Sequence, residues 1–498
     1  MTDVLPEHQR FLIRSTFFGV LIVVLLMLYG YWNIQQDDSY IFYSYAQNLA
    51  NGQGYVFNPG ENVNATTSPL YTLLLALLYL VFRWLPFVTI PLLGHIIGAV
   101  SLLLLCRFLT ESFLTERGTL FPFVLPLVVL ASPLLPRGTG MEAFLAMMLA
   151  VMCLRYYVRG RLLAASVASS FAVLARPDML LMAGLLLIYE SILNRRLPRA
   201  RIVVAFLVPI LSWTVFSISY FGSPLPSTLS AKLAQVDAGF WGSGLVFFKG
   251  IVTGYVWYGG PLLGAAAAVG VLLGLIVWWA RHKQWTLFRN PAFHLLLLWT
   301  LLYLLFYGLI LNAPAYSWYY TPLSLGTGLL IAVVVEAFYR FLSIRNVIPN
   351  RLLIPMTFTV LITVALVLPV LTAFLPMDRK YETYKLAAEW LNQNVEQGSS
   401  VAASDIGVLR FYYRKGPVIC VVGLVNPEGI EHLRNGNFYW YIDRYHPDYL
   451  KFNHPPRYEN EALVELDWFQ NEYSLWKVLG SRWKAVGIYR RNPDSRRQ

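Results

Sequence analysis

The sequence has few charged residues for its length. Only 13% of its 498 residues are charged, whereas 57% are hydrophobic, and the mean hydropathy is +0.53. This composition excludes a soluble globular protein and indicates a polytopic membrane protein. Cysteine is also scarce, because the chain contains three, Cys106, Cys153 and Cys420, and they lie far apart. That spacing gives no basis for a disulfide framework or a cysteine-based metal site.

Acidic residues are in the minority. There are 27 of them against 39 lysines and arginines, a formal net charge of +12. The basic residues form short clusters between hydrophobic stretches, where they orient a protein in the membrane, and no nucleic-acid-binding module is visible. We therefore expect the lipid bilayer, and no nucleic acid, as a partner. The clusters predicted to be cytoplasmic are Arg10 and Arg14; Arg155, Arg159 and Arg161; Arg195, Arg196, Arg199 and Arg201; Arg281, His282 and Lys283; and Arg340, Arg345 and Arg351.

Apolar stretches of membrane-spanning length follow one another through the first three quarters of the chain. They cover roughly 11–32, 69–84, 88–106, 120–136, 141–158, 162–176, 178–193, 201–221, 259–280, 292–311, 319–339 and 352–375. The first has no small-residue cleavage site and is interpreted as a retained anchor. An even number of crossings would return the C-terminus to the cytoplasm, whereas the basic clusters place it outside. One segment between Pro69 and Pro136 is therefore expected to be re-entrant, or one span is missing, so that about 11 or 13 transmembrane helices are predicted.

The composition changes after Pro376. Of the 27 acidic residues, 12 lie up to Pro376 and 15 lie in the remaining 122 residues. This change predicts a transmembrane domain over 1–376 and an extracytoplasmic small α/β domain over 377–498. The tail begins with a predicted amphipathic helix over 381–395, on which Leu386, Trp390, Leu391 and Val395 recur at helical spacing. Predicted strands at 401–403 and 418–422 follow.

Asp37 and Asp38 are the most informative residues of the chain. They follow the first apolar stretch and begin a polar segment, so that 33–68 is predicted to be an external loop. Two adjacent carboxylates at a membrane surface lose solvation and repel each other, which indicates a catalytic or metal-binding site. The alternative is a membrane-exit loop whose acids have no special role.

Other charged residues fall on the same predicted face. Arg176 lies between two apolar stretches with almost no loop, where a guanidinium is expected to face a cavity and an anion. The alternatives are a structural pair with Asp178 and snorkelling of the side chain to the lipid headgroups. Lys232 follows a proline-containing turn and is a candidate ligand of a lipid phosphate, with contact to anionic headgroups as its alternative. Glu142 begins a span, where a carboxylate is also favoured by the helix dipole.

The first loop resembles that of a known enzyme family. Its residues 37–52 (DDSYIFYSYAQNLANG), 54–61 (GYVFNPGE) and 67–70 (TSPL) are similar to the bacterial C-superfamily (GT-C) glycosyltransferases, in particular the mycobacterial terminal arabinofuranosyltransferases. Short motifs that fit the pattern in order are Gly140-Met141-Glu142, Ala175-Arg176-Pro177-Asp178, 224–232 and Gly423-Leu424-Val425-Asn426. The chain departs from the pattern at Trp318-Tyr319-Tyr320, where relatives often have Arg-Tyr.

The resemblance implies an enzyme of the bacterial inner membrane that takes a sugar, such as arabinofuranose, from a polyprenyl-phosphate donor. The acceptor is a cell-envelope glycan, glycolipid or protein on the extracytoplasmic face, and the anomeric configuration is inverted. Asp37 is the predicted general base, and Asp38 orients it or binds a divalent metal, although the two roles are interchangeable at this stage. Arg176 and Lys232 are the predicted donor-phosphate ligands.

Further residues are expected to contact the substrates. Glu142, Tyr319 and Tyr320 are the candidates in the transmembrane domain. In the tail they are Asp405, for which hydrogen bonds within its turn are the alternative, and Asn426. One rival interpretation of the whole chain is a multi-pass lipid or glycolipid transporter (flippase), which would be expected to show broken helices in two related halves. Another is a catalytically idle envelope scaffold whose tail binds partners.

Overall fold

The computed structural model describes residues 7–30, 36–114, 119–195, 197–239, 245–345, 354–357, 359–364, 367, 380–481 and 484–493. Helices dominate the part before the tail. They are α1 (Glu7–Gly30), α2 (Asp37–Ala50), α3 (Pro69–Phe82), α4 (Ile90–Phe113), α5 (Phe121–Leu130), α6 (Ala143–Val158), α7 (Leu162–Ala175), α8 (Leu180–Asn194), α9 (Ala200–Phe221), α10 (Ser227–Asp237), α11 (Val246–Arg281), α12 (Pro291–Leu305) and α13 (Leu323–Ile344). Residues 354–357 and 359–364 are also helical.

The tail combines short helices with a five-stranded sheet. Its elements are α14 (Lys380–Asn394), β1 (Val401–Ala403), α15 (Gly407–Tyr412), β2 (Val418–Cys420), α16 (Gly429–Arg434), α17 (Trp440–Tyr445), β3 (Tyr449–Asn453), α18 (Asp467–Glu472), β4 (Tyr473–Leu479) and β5 (Val486–Arg491). The strand order is β2-β1-β3-β5-β4. β1 pairs in parallel with β2 and β3, whereas β3–β5 and β5–β4 are antiparallel pairs. The predicted membrane protein with an α/β tail is confirmed.

The predicted apolar stretches correspond to helices. Seven helices in the described residues are long and apolar enough to cross a membrane, and α3, α5, α6 and α7 are shorter apolar helices. The last predicted stretch, 352–375, is described only at 354–357, 359–364 and 367. Helix α5 has ten residues with Pro126 inside it, so it is about 15 Å long and too short to cross about 30 Å of hydrocarbon by itself. A re-entrant segment in this region is consistent with that length, and the number of crossings stays a prediction.

The chain forms two compact units. Unit 1 consists of Met1–Trp32, His95–Ile210 and Leu245–Leu375, and unit 2 consists of Asn33–Gly94, Leu211–Gly244 and Pro376–Gln498. In unit 1 a buried carboxylate, Glu336 on α13, accepts hydrogen bonds from the backbone N–H groups of Leu120 (2.9 Å) and Phe121 (3.0 Å). These two backbone donors at the start of α5 are thereby satisfied, as buried N–H groups without an intrahelical partner require.

Unit 2 joins the first loop to the tail. Asn58 completes the edge of β2, because its Nδ2 donates to the Val418 carbonyl (2.9 Å) and its Oδ1 accepts from the Val418 N–H (3.1 Å). Ser227 and Gln235 of α10 donate to the carbonyls of Leu424 (2.7 Å) and Val422 (3.0 Å). The polar segment after the first span is therefore part of a folded unit, with α2 beginning at Asp37 itself.

One detail of the predicted tail helix is wrong. Leu386 is 45% exposed, and the buried face of α14 is formed by Tyr384, Ala387, Ala388 and Leu391. The two alanines allow the helix to lie close to its neighbours, so the small residues define the inner face and the large Leu386 remains outside it.

Candidate functional site

Asp37 is held by the tail. Its Oδ2 accepts a hydrogen bond from the Gly407 N–H and its Oδ1 accepts one from the Val408 N–H, both at 2.8 Å. Gly407 and Val408 begin α15, immediately after β1 and its turn. Both carboxylate oxygens of Asp37 are thus fixed in position by backbone donors, which is the arrangement that stabilises an ionised carboxylate.

Two charged side chains of the tail act on Asp37. Burial of the carboxylate is the main effect that raises its pKa, and the negative charge of Asp405 raises it further. The positive charge of Lys451 and the hydrogen bonds from Val408 and Gly407 act in the opposite direction, and the balance raises the pKa of Asp37 to about 7. A carboxylate with a pKa near neutrality is suited to act as a general base at physiological pH.

Lys451 and Asp405 belong to one buried cluster. The Nζ of Lys451, a residue only 2% exposed, donates to the Asp405 carbonyl at 2.8 Å and lies 3.6 Å from the ring centroid of Tyr384. The Tyr384 hydroxyl donates to the Asp405 carboxylate. Burial lowers the pKa of Lys451, while the charges of Asp405, Asp37 and Glu461 raise it. Lys451 and Tyr384 were absent from the candidates derived from the sequence, although a lysine within the hydrophobic run 449–452 was a usable signal.

Asp38 faces a different partner. Its Oδ2 lies 3.5 Å from the Nζ of Lys232 on α10, and the two side chains are 24% and 21% exposed. The two adjacent acids therefore differ in environment, since Asp37 is bound by backbone donors and Asp38 is beside a cation. Residues predicted from two distant parts of the sequence, the Asp37–Asp38 pair and Lys232, occur together in unit 2.

The metal alternative can be tested on the donor set. In the described part of the chain, no group of three or more His, Cys, Asp or Glu side chains is placed to hold a metal ion. Asp38, the predicted ligand, has a lysine ammonium beside it, and a neighbouring positive charge opposes cation binding. The residues present do not form a fitting set, and we derive no step through a metal.

Unit 1 contains a second group of predicted residues. Arg176, 4% exposed, donates from Nη2 to Asp178 at 2.7 Å and from Nη1 to Glu142 at 3.3 Å. Its pairing with Asp178, one of the alternative roles considered from the sequence, is therefore present, and Glu142 is a second acidic partner. The Tyr307 hydroxyl also donates to Asp178 at 2.7 Å.

The two predicted tyrosines lie in this second group. The Tyr319 carbonyl accepts a hydrogen bond from the Tyr303 hydroxyl at 2.9 Å, and the Tyr319 ring lies 5.0 Å from that of Tyr307. The hydroxyl of Tyr320, 2% exposed, donates to the Phe247 carbonyl at 3.0 Å. Their contacts with sugar remain a prediction. The hydrogen bond from the Tyr320 hydroxyl to Phe247 also supports the packing of unit 1.

Asn426 has partners within the tail. Its Oδ1 accepts from the Cys420 N–H at 2.8 Å and its Nδ2 donates to the Tyr445 hydroxyl at 3.0 Å. These bonds stabilise the chain that follows β2. Acceptor binding by Asn426 and by Asp405 stays a prediction.

Comparisons with known proteins agree with this architecture. Residues 376–495 match a family model described as a domain of unknown function, DUF8728. The chain is 28% identical over 297 residues to the terminal beta-(1->2)-arabinofuranosyltransferase of Mycobacterium tuberculosis, a match that covers 54% of this chain and 45% of that relative. The matched part is thus less than half of the relative's length.

Solved structures share the fold of the whole chain. ArnT from Cupriavidus metallidurans, in the apo state, has a TM-score of 0.53 at 14% identity, and the match covers 95% of this chain and 97% of ArnT. The archaeal oligosaccharyltransferase AglB from Archaeoglobus fulgidus, in complex with an inhibitory peptide and a dolichol-phosphate, has a TM-score of 0.57 at 11% identity, with 98% and 75% covered. The chain has the GT-C fold. The resemblance to the arabinofuranosyltransferases that the first loop predicted is also confirmed.

Proposed function

We propose that the chain is an integral membrane glycosyltransferase that transfers a sugar from a polyprenyl-phosphate donor to an acceptor in the cell envelope. The observation that carries this proposal is the Asp37–Asp38 pair with Lys232 beside it, in a chain with the GT-C fold. The relative named as an arabinofuranosyltransferase supports a pentose such as arabinofuranose as the sugar, and the structure with a dolichol-phosphate supports a lipid-linked donor.

The proposed reaction is a single displacement with inversion. The Asp37 carboxylate takes the proton of an acceptor hydroxyl as the hydroxyl oxygen bonds to the anomeric carbon, and the bond from that carbon to the phosphate oxygen breaks. The electron pair of that bond remains on the phosphate, which leaves as polyprenyl phosphate. Lys232 is the proposed cation that stabilises this leaving group, and Asp38, 3.5 Å from its Nζ, holds the ammonium in place.

Arg176 is a weaker candidate than Lys232 for a ligand of the donor phosphate. Two carboxylates already balance its charge, so a phosphate would have to compete with them. We keep Arg176 as the second proposed donor contact, with Glu142, Tyr319, Tyr320, Asp405 and Asn426 as proposed substrate contacts. The site is proposed to face the extracytoplasmic side of the bacterial inner membrane.

The test uses the purified full-length protein in liposomes with a panel of polyprenyl-phosphate sugars. Release of polyprenyl phosphate, dependent on an added glycan, glycolipid or peptide acceptor, is the expected result. Asp37→Asn should lower turnover more than about a hundredfold, because the amide keeps the shape but cannot accept the proton. Asp443→Asn, the same change at an exposed position of the tail, is the control and should retain full activity.

Three outcomes decide the proposal. An inactive Asp38→Asn with a fully active Asp37→Asn would transfer the role of base to Asp38. Activity in both single variants would contradict the mechanism. Movement of lipid across the liposome bilayer, without release of polyprenyl phosphate from any donor, would instead support the flippase alternative.

A further inference from the structure

The contact between Asp37 and the tail joins residues 370 positions apart in the chain. Both oxygens of one carboxylate accept bonds from two successive backbone N–H groups, at Gly407 and Val408, each at 2.8 Å. Two such bonds fix the plane of the carboxylate as well as its position. A side chain held in this way loses the rotational freedom that an aspartate at the start of an exposed loop would have.

The close approach at Gly407 depends on the absence of a side chain. A Cβ atom at this position would lie 1.9 Å from the Asp37 carbonyl oxygen and 3.2 Å from its Oδ2. The first distance is far shorter than a van der Waals contact. Because the atom that would be met is the backbone oxygen of Asp37, which cannot rotate away as a side chain can, the two segments would have to separate. Glycine is therefore required for this turn of the tail to reach Asp37.

Other contacts within unit 2 fix the same two segments. The Tyr40 ring stacks on Tyr381 at 5.4 Å and meets the edge of Phe411 at 5.3 Å. The Nε of Arg410 donates to the Phe57 carbonyl at 3.1 Å. The tail thus contacts the first loop at Tyr40 and Phe57, both C-terminal to Asp37. Its turn at Gly407–Val408 is the part that touches the carboxylate.

We propose that the C-terminal domain, the segment that matches DUF8728, positions the catalytic carboxylate. Its positioning residues are Gly407 and Val408, which act through their backbone N–H groups. This inference rests on the proposed function, in which Asp37 is the base. A base must lie within hydrogen-bond reach of the proton that it removes, and misplacement by about 1 Å can lower a rate about a hundredfold. The tail therefore contributes to the chemical step itself, whatever part it has in acceptor binding.

The principal test compares two glycine substitutions. Gly407→Ala should lower kcat about a hundredfold and leave the donor KM within about twofold. It should also displace the acidic limb of the pH–rate profile, because separation of the segments removes two N–H bonds that lower the pKa of Asp37 and reduces the burial that raises it. Gly416→Ala is the matched control, since a Cβ there would lie 2.0 Å from the Ser399 carbonyl oxygen, in a tail turn outside the Asp37 contact. It should leave the acidic limb unchanged.

A second pair of variants applies if Gly407→Ala does not fold. Val408→Pro removes one N–H donor at a position in the first helical turn, where proline is tolerated, and Val408→Ala shortens the buried side chain but keeps the donor. We expect only the proline variant to shift the acidic limb. Equal limbs in the proline and alanine variants would overturn the inference.

The outcomes separate this inference from the proposed function. Wild-type kcat and pH profile in Gly407→Ala, together with an inactive Asp37→Asn, would overturn the positioning role and leave the function intact. An active Asp37→Asn would instead remove the function on which the inference rests.

Discussion

Asp37 and Asp38 are neighbours in sequence but differ in chemistry. Asp37 is bound by two N–H groups and lies in the field of Asp405 and Lys451, whereas Asp38 is 3.5 Å from the Lys232 ammonium. Such differences matter for acid–base catalysis, because the environment of a carboxylate sets how readily it accepts a proton. On this physical argument, which is independent of the family resemblance, we keep Asp37 as the proposed base, and its role stays a prediction.

The first prediction concerns pH. Burial and the charge of Asp405 raise the pKa of Asp37 from its ordinary value of 3.8 to about 7. A general base acts in its deprotonated form, so kcat/KM should fall as the pH decreases through about 7. Asp405→Asn removes a negative charge that raises this pKa, and the acidic limb should therefore move to lower pH. The measurement is kcat/KM against pH for wild type and variant.

A substitution of Lys451 should shift the acidic limb in the direction opposite to that of Asp405→Asn. Its positive charge lowers the pKa of Asp37, so Lys451→Met should move the acidic limb to higher pH. Limbs that stay in place in both variants, or a wild-type limb below about pH 5, would show that Asp37 in this environment is not the titrating base.

Local sequence pattern predicted most of the helices. The apolar stretch at 162–176 corresponds to α7, and β1 lies at 401–403 as expected. Helix α2 was hidden because its buried face is made of Tyr40, Tyr43 and other residues that pack on Phe411 and Tyr381, more than 330 positions away. A helix that is buried by such distant partners has no apolar run of its own to reveal it.

Only part of the candidate site was predictable from the local sequence. Asp37, Asp38 and Lys232 have residue types and positions that indicate their chemistry, and they meet in unit 2. Gly407 and Lys451 were missed as site residues because their roles come from the tail fold, which places a turn and a strand against the first loop. The lysine within the hydrophobic run 449–452 was a local signal for Lys451, but no local pattern specifies that the turn and the strand lie against the first loop.

The second prediction concerns the two cations Lys232, within α10, and Arg176, between α7 and α8. Lys232→Ala on α10 should lower kcat/KM for the donor about tenfold, which corresponds to about 1.4 kcal/mol and to the loss of one charge-assisted hydrogen bond to the phosphate. Arg176→Ala, between α7 and α8, should lower the free energy of unfolding by about 3–5 kcal/mol, because it leaves Asp178 and Glu142 buried without their cation. The measurements are donor kinetics and thermal unfolding in detergent for each variant.

Matched variants show which role each cation has. Lys477→Ala, on an exposed position of β4, should change neither quantity. Arg176→Lys should restore stability only in part, since an ammonium lacks the planar fork that reaches both carboxylates. A raised donor KM in Arg176→Ala at unchanged thermal stability would establish Arg176 as a donor ligand in place of a structural ion pair.

At the scale of the whole molecule, the first loop and the tail belong to one compact unit although more than 280 residues separate them in the chain. Two segments that exchange hydrogen bonds cannot lie on opposite sides of a bilayer. We therefore expect the first loop and the tail to emerge on the same side. The basic clusters predict that this side is extracytoplasmic. The contact between Asp37 and Gly407 thus predicts that the two segments share a side, and the basic clusters predict which side it is. A labelling experiment tests both predictions.

The third prediction is the orientation of unit 2. Single-cysteine variants Gln53→Cys in the first loop and Gln397→Cys in the tail occupy exposed positions, as does Arg161→Cys in a cluster predicted to be cytoplasmic. The three native cysteines are buried and would be replaced by serine. An impermeant thiol reagent applied to intact spheroplasts should label positions 53 and 397, and should label position 161 only after lysis. Labelling of 161 before lysis, with 53 and 397 protected, would invert the orientation. Different labelling of 53 and 397 would contradict the shared side that the Asp37–Gly407 contact requires.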